Sequence, residues 1–249
     1  MKIAVVTGAS SGIGREFAVQ ISKRYGKLDE IWLIARRKER MEELQNQLRV
    51  PVRIFAMDLC SDEDLHQFKE YLEKYKPDIK LLVNSAGCGR IGRIDEIDVV
   101  EQCTMIDINC KALTMFSGLC LPYISSHSRI INIASAAAFS PQPNFAVYAE
   151  TKAYVLSYSR ALNVELKSRK ITVTSVCPGP VNTEFFDLAG DKDGKSFKKN
   201  LRADVSKVVT QAIKDAALGN ELSIYGTAMK MAKGASKVLP HKIVMNVFK

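Results

Sequence analysis

A tyrosine and a lysine lie four residues apart in the stretch VYAETKAYVLSYSRAL, residues 147–162. The stretch has the apolar spacing of a helix. Because four residues make about one helical turn, the Tyr148 phenol and the Lys152 ammonium share a face. Such a pair is either an ordinary feature of a helix surface or a tyrosine kept acidic enough for proton transfer. The spacing alone leaves both interpretations open, so the choice depends on what the rest of the chain places beside the pair.

A glycine-rich turn near the start of the chain is a second group of residues that could do chemistry. The segment TGASSGIG, residues 7–14, follows a short β-branched run and precedes an amphipathic stretch. Its glycines, Gly8, Gly12 and Gly14, allow a tight turn and a close approach of the backbone to a ligand. A helix that begins there offers free N–H groups and the positive end of its dipole to a pyrophosphate. This placement indicates a dinucleotide site.

Basic residues after the second apolar run distinguish between two dinucleotides. Arg36, Arg37 and Lys38 follow this run, and no carboxylate occurs before Glu39. An acidic residue at this point usually holds a free ribose 2′-hydroxyl, whereas a guanidinium binds a 2′-phosphate. The sequence therefore predicts NADP(H) rather than NAD(H). Arg36 is the better candidate of the two arginines, and Ser10 in the glycine turn could also reach the phosphate.

The elements that must position these residues follow a repeated pattern. Short continuous apolar runs, among them KIAVVT, IWLIA, VRIFAMD and KLLVNSAG, alternate with stretches of helical periodicity. Strands that are apolar throughout are buried on both faces, which is typical of a parallel sheet covered by helices. We therefore expect a Rossmann-like α/β fold, a doubly wound parallel sheet of about seven strands with helices on both faces. No linker-like or repeated segment divides residues 1–249, which predicts a single domain.

Two segments fall outside this pattern. Residues 183–202 combine glycine, charge and phenylalanine after a proline-rich strand exit, and predict a mobile substrate loop with a short helix. Residues 227–249 form a basic C-terminal tail that mixes apolar residues with lysines. The tail fits a packed helix, a subunit contact or a segment weakly attracted to a membrane surface. Because Pro240 interrupts any long helix, packing or subunit contact is the favoured interpretation.

Composition limits the partners and the compartment. The 249 residues carry a net charge of +9, and 47% of them are hydrophobic. No apolar run approaches the length of a membrane span, and the first ten residues are too poor in apolar side chains for a signal peptide. The basic excess comes without a nucleic-acid-binding motif, so we assign it to solvated surface. We expect a cytoplasmic protein with no nucleic-acid partner and no integral membrane association.

The cysteines argue in the same direction. The six cysteines are scattered, without a C-x-x-C motif or a Cys/His cluster. This spacing is typical of reduced thiols rather than of disulfides or a metal site. We therefore predict no bound metal.

Several short motifs occur in an order that resembles the short-chain dehydrogenase/reductase family. They are TGASSGIG, Asp58-Leu59, Asn84-Ser85-Ala86-Gly87, Asn109, Ser135, Tyr148-x-x-x-Lys152 and PGPVNT at 178–183. The resemblance covers residues 1 to about 185 and fades over 186–249, the part that usually shapes substrate choice. Ser85 replaces the family's more frequent second asparagine. Ser11 stands where many NADP-dependent members carry a basic residue, so a 2′-phosphate contact must rest on Arg36 or Arg37.

The resemblance implies catalytic roles for four residues. Tyr148 would exchange a proton with the carbonyl oxygen of the substrate. Lys152 would bond the nicotinamide ribose and, with the cationic nicotinamide, lower the pKa of the phenol from its usual value of about 10. Ser135 would hydrogen-bond the carbonyl and its developing oxyanion. Asn109 would hold a water that relays protons to solvent.

The same resemblance implies cofactor contacts along the strand ends. Asp58 would bond the adenine amino group beside Leu59, and Val181 would bond the carboxamide through its backbone. Asn84 would line the adenine-side ribose and the bottom of the site with its neighbours. The full predicted set is Gly8, Ser10, Ser11, Gly12, Ile13, Gly14, Arg36, Arg37, Asp58, Leu59, Asn84, Ala86, Gly87, Tyr148, Lys152, Pro178, Gly179, Val181 and Thr183.

The expected substrate pocket contains Cys88, residues 136–145 and the loop after Thr183. These segments carry several phenylalanines and prolines, which suit a hydrophobic carbonyl or alcohol compound better than a sugar. The subgroup resemblance is to hydroxysteroid and 3-oxoacyl reductases. Lysines 195, 198 and 199 of the loop could meet an acidic substrate tail or merely solvent.

The predicted function is therefore NADP(H)-dependent hydride transfer between nicotinamide and the carbonyl or secondary alcohol of a hydrophobic substrate. The alternative is an NADP(H)-binding regulatory or scaffold protein on the same fold, without significant turnover. A binder of nucleic acid or of a membrane surface has only the basic charge in its favour. The family commonly forms dimers or tetramers through two long helices, here around 104–122 and 148–168, which implies a homodimer or homotetramer.

Overall fold

One seven-stranded parallel sheet organises the protein. The computed structural model describes residues 1–190 and 202–238, and its strand order is β3-β2-β1-β4-β5-β6-β7. Adjacent strands pair in parallel across the whole sheet. The strands are β1 (Lys2–Thr7), β2 (Glu30–Ala35), β3 (Val52–Ala56), β4 (Asp78–Asn84), β5 (Ile124–Ile133), β6 (Thr172–Val176) and β7 (Leu222–Ser223). The predicted Rossmann-like fold is confirmed.

The helices of the described chain follow the strands in alternation. They are α1 (Gly12–Arg24), α2 (Lys38–Gln45), α3 (Asp62–Tyr75), α4 (Val99–Ile106), α5 (Leu113–Cys120), α6 (Ala146–Glu165), α7 (Phe185–Leu188), α8 (Val205–Ala217) and α9 (Thr227–Val238). Single turns of 3-10 helix occupy Leu121–Tyr123, Ala136–Phe139 and Lys167–Arg169.

Two large apolar clusters bury the two faces of the sheet. On one face, Trp32 of β2 packs with Phe68 of α3 and Phe116 of α5. On the other face, Phe17 of α1 packs with strand residues and with Val209 of α8. Because each strand sends alternate side chains into each cluster, the strands are apolar throughout, as the sequence pattern indicated.

Strand order places the chemistry at one edge of the sheet. The order reverses between β1 and β4, since β2 and β3 lie on one side of β1 while β4 to β7 continue on the other. In open parallel sheets, ligands bind outside the carboxyl ends of the strands at such a switch point. The segments after β1, β2, β4, β5 and β6 carry most of the predicted site residues, so the fold brings them to one place.

The helical region around residues 104–122 is less regular than the sequence suggested. It consists of α4, a π-helical turn over Asp107–Ala112, and α5. A π turn inserts an extra residue into a helix and is frequent at functional sites. Asn109 lies within this turn and is 1% exposed.

Several expectations concern features outside the sheet. No helix among residues 1–190 and 202–238 is both long and apolar enough to cross a membrane. The same residues contain no group of three or more His, Cys, Asp or Glu side chains arranged to hold a metal ion. All six cysteines are free thiols. Of the predicted loop and tail, residues 191–201, with Lys195, Lys198 and Lys199, and residues 239–249 lie outside the described residues.

Candidate active site

The glycine turn between β1 and α1 has a backbone that excludes side chains. Gly8 and Gly12 have φ angles of +65° and +53°, in the left-handed region that favours glycine. A Cβ on Gly8 would lie 2.8 Å from the backbone nitrogen of Ala86. A Cβ on Gly14 would lie 2.4 Å from the carbonyl oxygen of Gly8. The tight turn expected from the glycines is present, and it packs directly on the chain after β4.

The start of α1 is suited to an anion. Ser11 is the N-cap residue, and its side chain makes no capping hydrogen bond. The first N–H groups of a helix have no partner within the helix, and the dipole places partial positive charge there. Ser11, Gly12 and Ile13 line a cavity of about 900 Å³, so these N–H groups stand beside open space. This arrangement fits the pyrophosphate of a dinucleotide.

Thr7 connects the glycine turn to β4, a role that the motif analysis did not assign. Its hydroxyl oxygen accepts hydrogen bonds from the backbone N–H groups of Ser85 (3.0 Å) and Ala86 (3.1 Å). The side chain is 2% exposed. Its only sequence signal is a threonine directly before the first glycine of the turn.

The two arginines that follow β2 make different contacts. The Arg36 side chain is 79% exposed, and its Nη1 lies 3.7 Å from Oδ2 of Asp58. Arg37 instead donates from Nη2 to the hydroxyls of Ser10 (3.2 Å) and Ser11 (2.8 Å). Both arginines lie in the cavity wall, and the hydrogen bonds to Ser10 and Ser11 hold the Arg37 side chain against the glycine turn. Arg36 was expected to be the better placed arginine, and the contacts with Ser10 and Ser11 make Arg37 a second candidate for the 2′-phosphate.

Tyr148, Lys152 and Ser135 are brought together by α6 and the end of β5. Tyr148 is the third residue of α6, and the Lys152 ammonium lies 5.7 Å from the centre of its ring. The ammonium also donates to the carbonyl oxygen of Ile133 in β5, at 3.0 Å. Ser135 follows β5, and its hydroxyl oxygen accepts a hydrogen bond from the Ala137 N–H at 3.1 Å. All three residues line the cavity.

Burial dominates the electrostatics of this group. Tyr148 is 7% exposed, and burial raises the pKa of its phenol to about 12, although the hydrogen bond with Ser135 works in the opposite direction. Burial also lowers the pKa of Lys152 to about 8. Both shifts have one cause, since a dry environment disfavours the charged form of either group. In the protein without a cofactor, the pKa of the Tyr148 phenol is therefore above its usual value. The lower pKa expected from the sequence requires both the Lys152 ammonium and a cationic nicotinamide.

Asn109 lies behind the cavity rather than in its wall. Its Nδ2 donates to the carbonyl oxygen of Cys88 and to the hydroxyl of Thr151, both at 2.9 Å. Its Oδ1 accepts from the Cys88 N–H at 3.0 Å. The amide thus holds the chain beside Gly87, where a Cβ would lie 2.7 Å from Oδ1 and 3.3 Å from the Lys152 ammonium. Both N–H groups are used, and one lone pair of Oδ1 is left for the predicted water.

Asn84 has a place in the core instead of in the cavity wall. Its Nδ2 donates to Ser117 (3.0 Å) and to Asn132 of β5 (2.8 Å), and the side chain is 3% exposed. Asn132 in turn donates to Ser159 of α6 at 2.9 Å. Asn84 was expected to line the cofactor ribose; its side chain points toward β5 and is not among the residues that line the cavity. Gly14 is likewise absent from the wall, and packs against Gly8.

The remaining predicted contacts do lie in the wall. Its residues include Gly8, Ser10, Asp58, Leu59, Ala86, Gly87, Pro178, Gly179, Val181 and Thr183. Leu59 is 6% and Val181 is 5% exposed, so each presents little beyond one face to the cavity. The geometry is that of a groove running from the end of β2, across the glycine turn, to Tyr148.

An apolar wall closes the cavity on the Tyr148 side. We use this name for Phe139, Phe145, Phe185 and Met229, all of which line the cavity. Phe145 stacks on Tyr148 with ring centres 4.2 Å apart, and Phe185 tilts against its ring at 5.3 Å. Phe139, Phe145 and Phe185 come from segments that were expected to form the substrate pocket, and Cys88 also lines the cavity. For the tail from residue 227, packing or a subunit contact was the favoured expectation, and its segment Thr227–Val238 forms α9, with Met229 in the cavity wall.

The chain is similar to a known family of proteins. A family model described as short chain dehydrogenase matches residues 2–193. An uncharacterized oxidoreductase of Staphylococcus epidermidis is 35% identical over 205 residues, 82% of this chain and 88% of the relative. The chain therefore belongs to the short-chain dehydrogenase/reductase family of oxidoreductases.

Solved structures show the same fold. A short-chain dehydrogenase from Sphingobium yanoikuyae in complex with NADPH has a TM-score of 0.80 at 26% identity, covering 100% of this chain and 97% of that chain. A short-chain dehydrogenase/reductase from Burkholderia phymatum in complex with NAD has a TM-score of 0.84 at 19% identity, covering 100% and 95%. The second likeness, at this low identity, extends to the fold alone.

Proposed function

We propose that this protein transfers a hydride between NADP(H) and the carbonyl or secondary alcohol of a hydrophobic substrate. The observation that carries the proposal is the shared cavity of about 900 Å³, which joins the glycine turn to Tyr148, Lys152 and Ser135. Ligand sites of this kind combine mostly apolar walls with a few convergent polar groups. A cavity of this size has room for a dinucleotide and a second molecule.

The polar half of the cavity would hold the cofactor. The N–H groups at the start of α1 face the pyrophosphate position, and Arg37 with Ser10 and Ser11 forms a donor group suited to a 2′-phosphate. The NADPH bound by the Sphingobium relative agrees with this choice. When bound, the nicotinamide would supply or accept the hydride.

The protein's own residues would handle the proton. Tyr148 would donate its phenolic proton to the carbonyl oxygen during reduction and recover one during oxidation. Ser135 would donate a hydrogen bond to the same oxygen as negative charge develops there. Lys152 lies between the phenol and the carbonyl oxygen of Ile133, where its charge would stabilise the phenolate left after proton transfer. Asn109 would act indirectly, by holding the Cys88 backbone beside Lys152.

The apolar wall supports a hydrophobic substrate of the hydroxysteroid or 3-oxoacyl type. Phe145 and Phe185 cover two sides of the Tyr148 ring, so the reacting carbonyl would enter among aromatic side chains. Met229 of α9 adds a flexible thioether, which adapts to irregular apolar surfaces. A sugar would leave its hydroxyl groups without partners along this wall.

Nicotinamide absorbance tests the proposal. The protein is mixed with NADPH or NADH and with steroid ketones, 3-oxoacyl thioesters and small ketones, with Tyr148→Phe measured in parallel. Turnover with NADPH that disappears in the variant is the expected result. Faster turnover with NADH would contradict the choice of cofactor and leave the catalytic assignment intact. Tight NADPH binding without turnover of any of these ketones would point first to a substrate outside the set and second to the regulatory protein.

We also propose that the protein forms a homodimer or homotetramer through α4–α5 and α6. Large apolar side chains stand exposed on these helices, with Ile106 at 48%, Tyr154 at 41% and Val164 at 72%. Light scattering coupled to size-exclusion chromatography measures the mass directly, and a mass of one chain would contradict the proposal.

A further inference from the structure

A carboxylate already occupies the arginines of the 2′-phosphate site. Glu184 lies just after Thr183, next to α7, and its Oε1 accepts a hydrogen bond from Arg40 at 2.5 Å. Its Oε2 accepts from Arg37 at 3.2 Å. The two arginines come from the start of α2, more than a hundred residues earlier in the chain. Neither Arg40 nor Glu184 was singled out by the sequence motifs.

The donors that hold Glu184 overlap with those that a phosphate needs. Arg37 uses Nη1 for Glu184 and Nη2 for the hydroxyls of Ser10 and Ser11. Glu184 lies in the cavity wall together with Arg37 and both serines. A 2′-phosphate carries about two negative charges and binds guanidinium in the same forked geometry as a carboxylate. The 2′-phosphate and the Glu184 carboxylate cannot bind the same N–H groups of Arg37 and Arg40 at once. Two negative charges placed there also repel each other.

We propose that Glu184 competes with the 2′-phosphate for Arg37 and Arg40, and thereby sets how strongly the protein prefers NADP(H) over NAD(H). The inference rests on the proposed function for the position of the cofactor. Glu184 is a specificity-determining residue in this scheme, and Arg40 is the second guanidinium that becomes available when the carboxylate moves away. The carboxylate is 44% exposed and sits on a short segment, so it can turn toward solvent without disturbing the sheet.

The test measures nucleotide fragments that lack nicotinamide, so it requires no turnover. Titration calorimetry gives the affinities of 2′,5′-ADP, which carries the 2′-phosphate, and of ADP, which has a free 2′-hydroxyl. Glu184→Gln keeps the shape of the side chain and removes its charge. The expected result is a gain of about three- to tenfold in affinity for 2′,5′-ADP with ADP unchanged, the range expected from losing two partly exposed ion pairs.

Asp187→Asn is the matched control. Asp187 lies three residues after Glu184 and is exposed, and it takes part in none of the ion pairs found among the described residues. The control removes the same formal charge from the same short segment, since Glu184 is the N-cap residue of α7 and Asp187 lies within it. Its ratio of 2′,5′-ADP to ADP affinity should equal that of the wild type. Equal ratios for Glu184→Gln and Asp187→Asn would overturn the inference, and so would weaker 2′,5′-ADP binding by Glu184→Gln.

Failure of the proposed cofactor site and failure of the proposed competition by Glu184 would give different results. If no variant binds either nucleotide, the proposed cofactor site is wrong, and the competition falls with it. If Glu184→Gln gains affinity for 2′,5′-ADP while the wild type binds NADH more tightly than NADPH, the competition is supported and the proposed NADP(H) preference fails. Arg40→Gln, made in the Glu184→Gln background, should lose the gained affinity. Retention of the full gain there would overturn the part assigned to Arg40.

Discussion

The two ends of the cavity are built by different means. At the glycine turn, backbone packs on backbone, since a Cβ on Gly8 or Gly14 would come within 3 Å of main-chain atoms. At the apolar wall, side chains from distant segments pack on Tyr148, and the one glycine near Met229 meets only a flexible side chain. Backbone contacts tolerate no change of shape, whereas side chains rearrange. We therefore expect the first end to be intolerant of substitution and the second to be adjustable.

Tyr148 stands where the two ends meet, and its hydroxyl should have the largest effect. Removing it in Tyr148→Phe is expected to lower kcat by about 10²- to 10⁴-fold, since proton transfer by a positioned group contributes that much. Steady-state kinetics with the best substrate measures the loss. Tyr154→Phe removes the same atom from an exposed tyrosine of α6 and should keep kcat within about twofold. A similar loss in both variants would contradict the catalytic role.

The pH dependence of stability measures how strongly burial shifts the pKa of Lys152. Its pKa is lowered from 10.5 to about 8 by burial, so the folded state releases its proton at lower pH than the unfolded state does. The free energy of unfolding of the wild type should therefore rise, relative to Lys152→Met, by about 3 kcal/mol between pH 8 and 10.5. Urea unfolding under reducing conditions measures this difference. The exposed lysine Lys23, changed to Met, should show no such rise, and a flat difference for Lys152→Met would contradict the shift.

Gly14 tests the rigidity of the backbone end. A Cβ 2.4 Å from the Gly8 carbonyl oxygen forces the turn to move, so Gly14→Ala should lower the free energy of unfolding by about 1–3 kcal/mol. The affinity for NADPH should fall as well, because the turn carries the predicted pyrophosphate contacts. Gly26 has nothing within 4 Å of its would-be Cβ, and Gly26→Ala should match the wild type. Equal stability of the two variants would contradict the rigidity inferred for the glycine turn.

Gly179 tests the tolerance of the apolar wall and should have the smallest effect. Its Cβ would meet the Met229 sulfur at 2.6 Å, but the thioether can turn away. Gly179→Ala should cost less than about 1 kcal/mol of the free energy of unfolding and mainly change KM for the larger substrates. Adding Met229→Ala should restore the stability lost in Gly179→Ala. A loss as large as that of Gly14→Ala would show that the wall is rigid too.

Features that depend on local order along the chain could be predicted from the sequence. Alternation of apolar runs and helical stretches is enough for the parallel sheet, and parallel strands bring their carboxyl ends to one edge. The glycine turn, Ser135, and the Tyr148–Lys152 pair follow from this, because each motif directly follows a strand or opens a helix. Their convergence on one cavity can therefore be predicted without knowing how the side chains pack.

The directions of neighbouring side chains of similar type depend instead on contacts between distant segments. Arg37 rather than Arg36 reaches the glycine turn, and Asn84 turns into the core, because their partners come from distant parts of the chain. The ion pairs of Glu184 with Arg37 and Arg40 span about 140 residues and leave no local pattern. A motif specifies the backbone position of a side chain, and only the packing of remote segments specifies its direction and its partner.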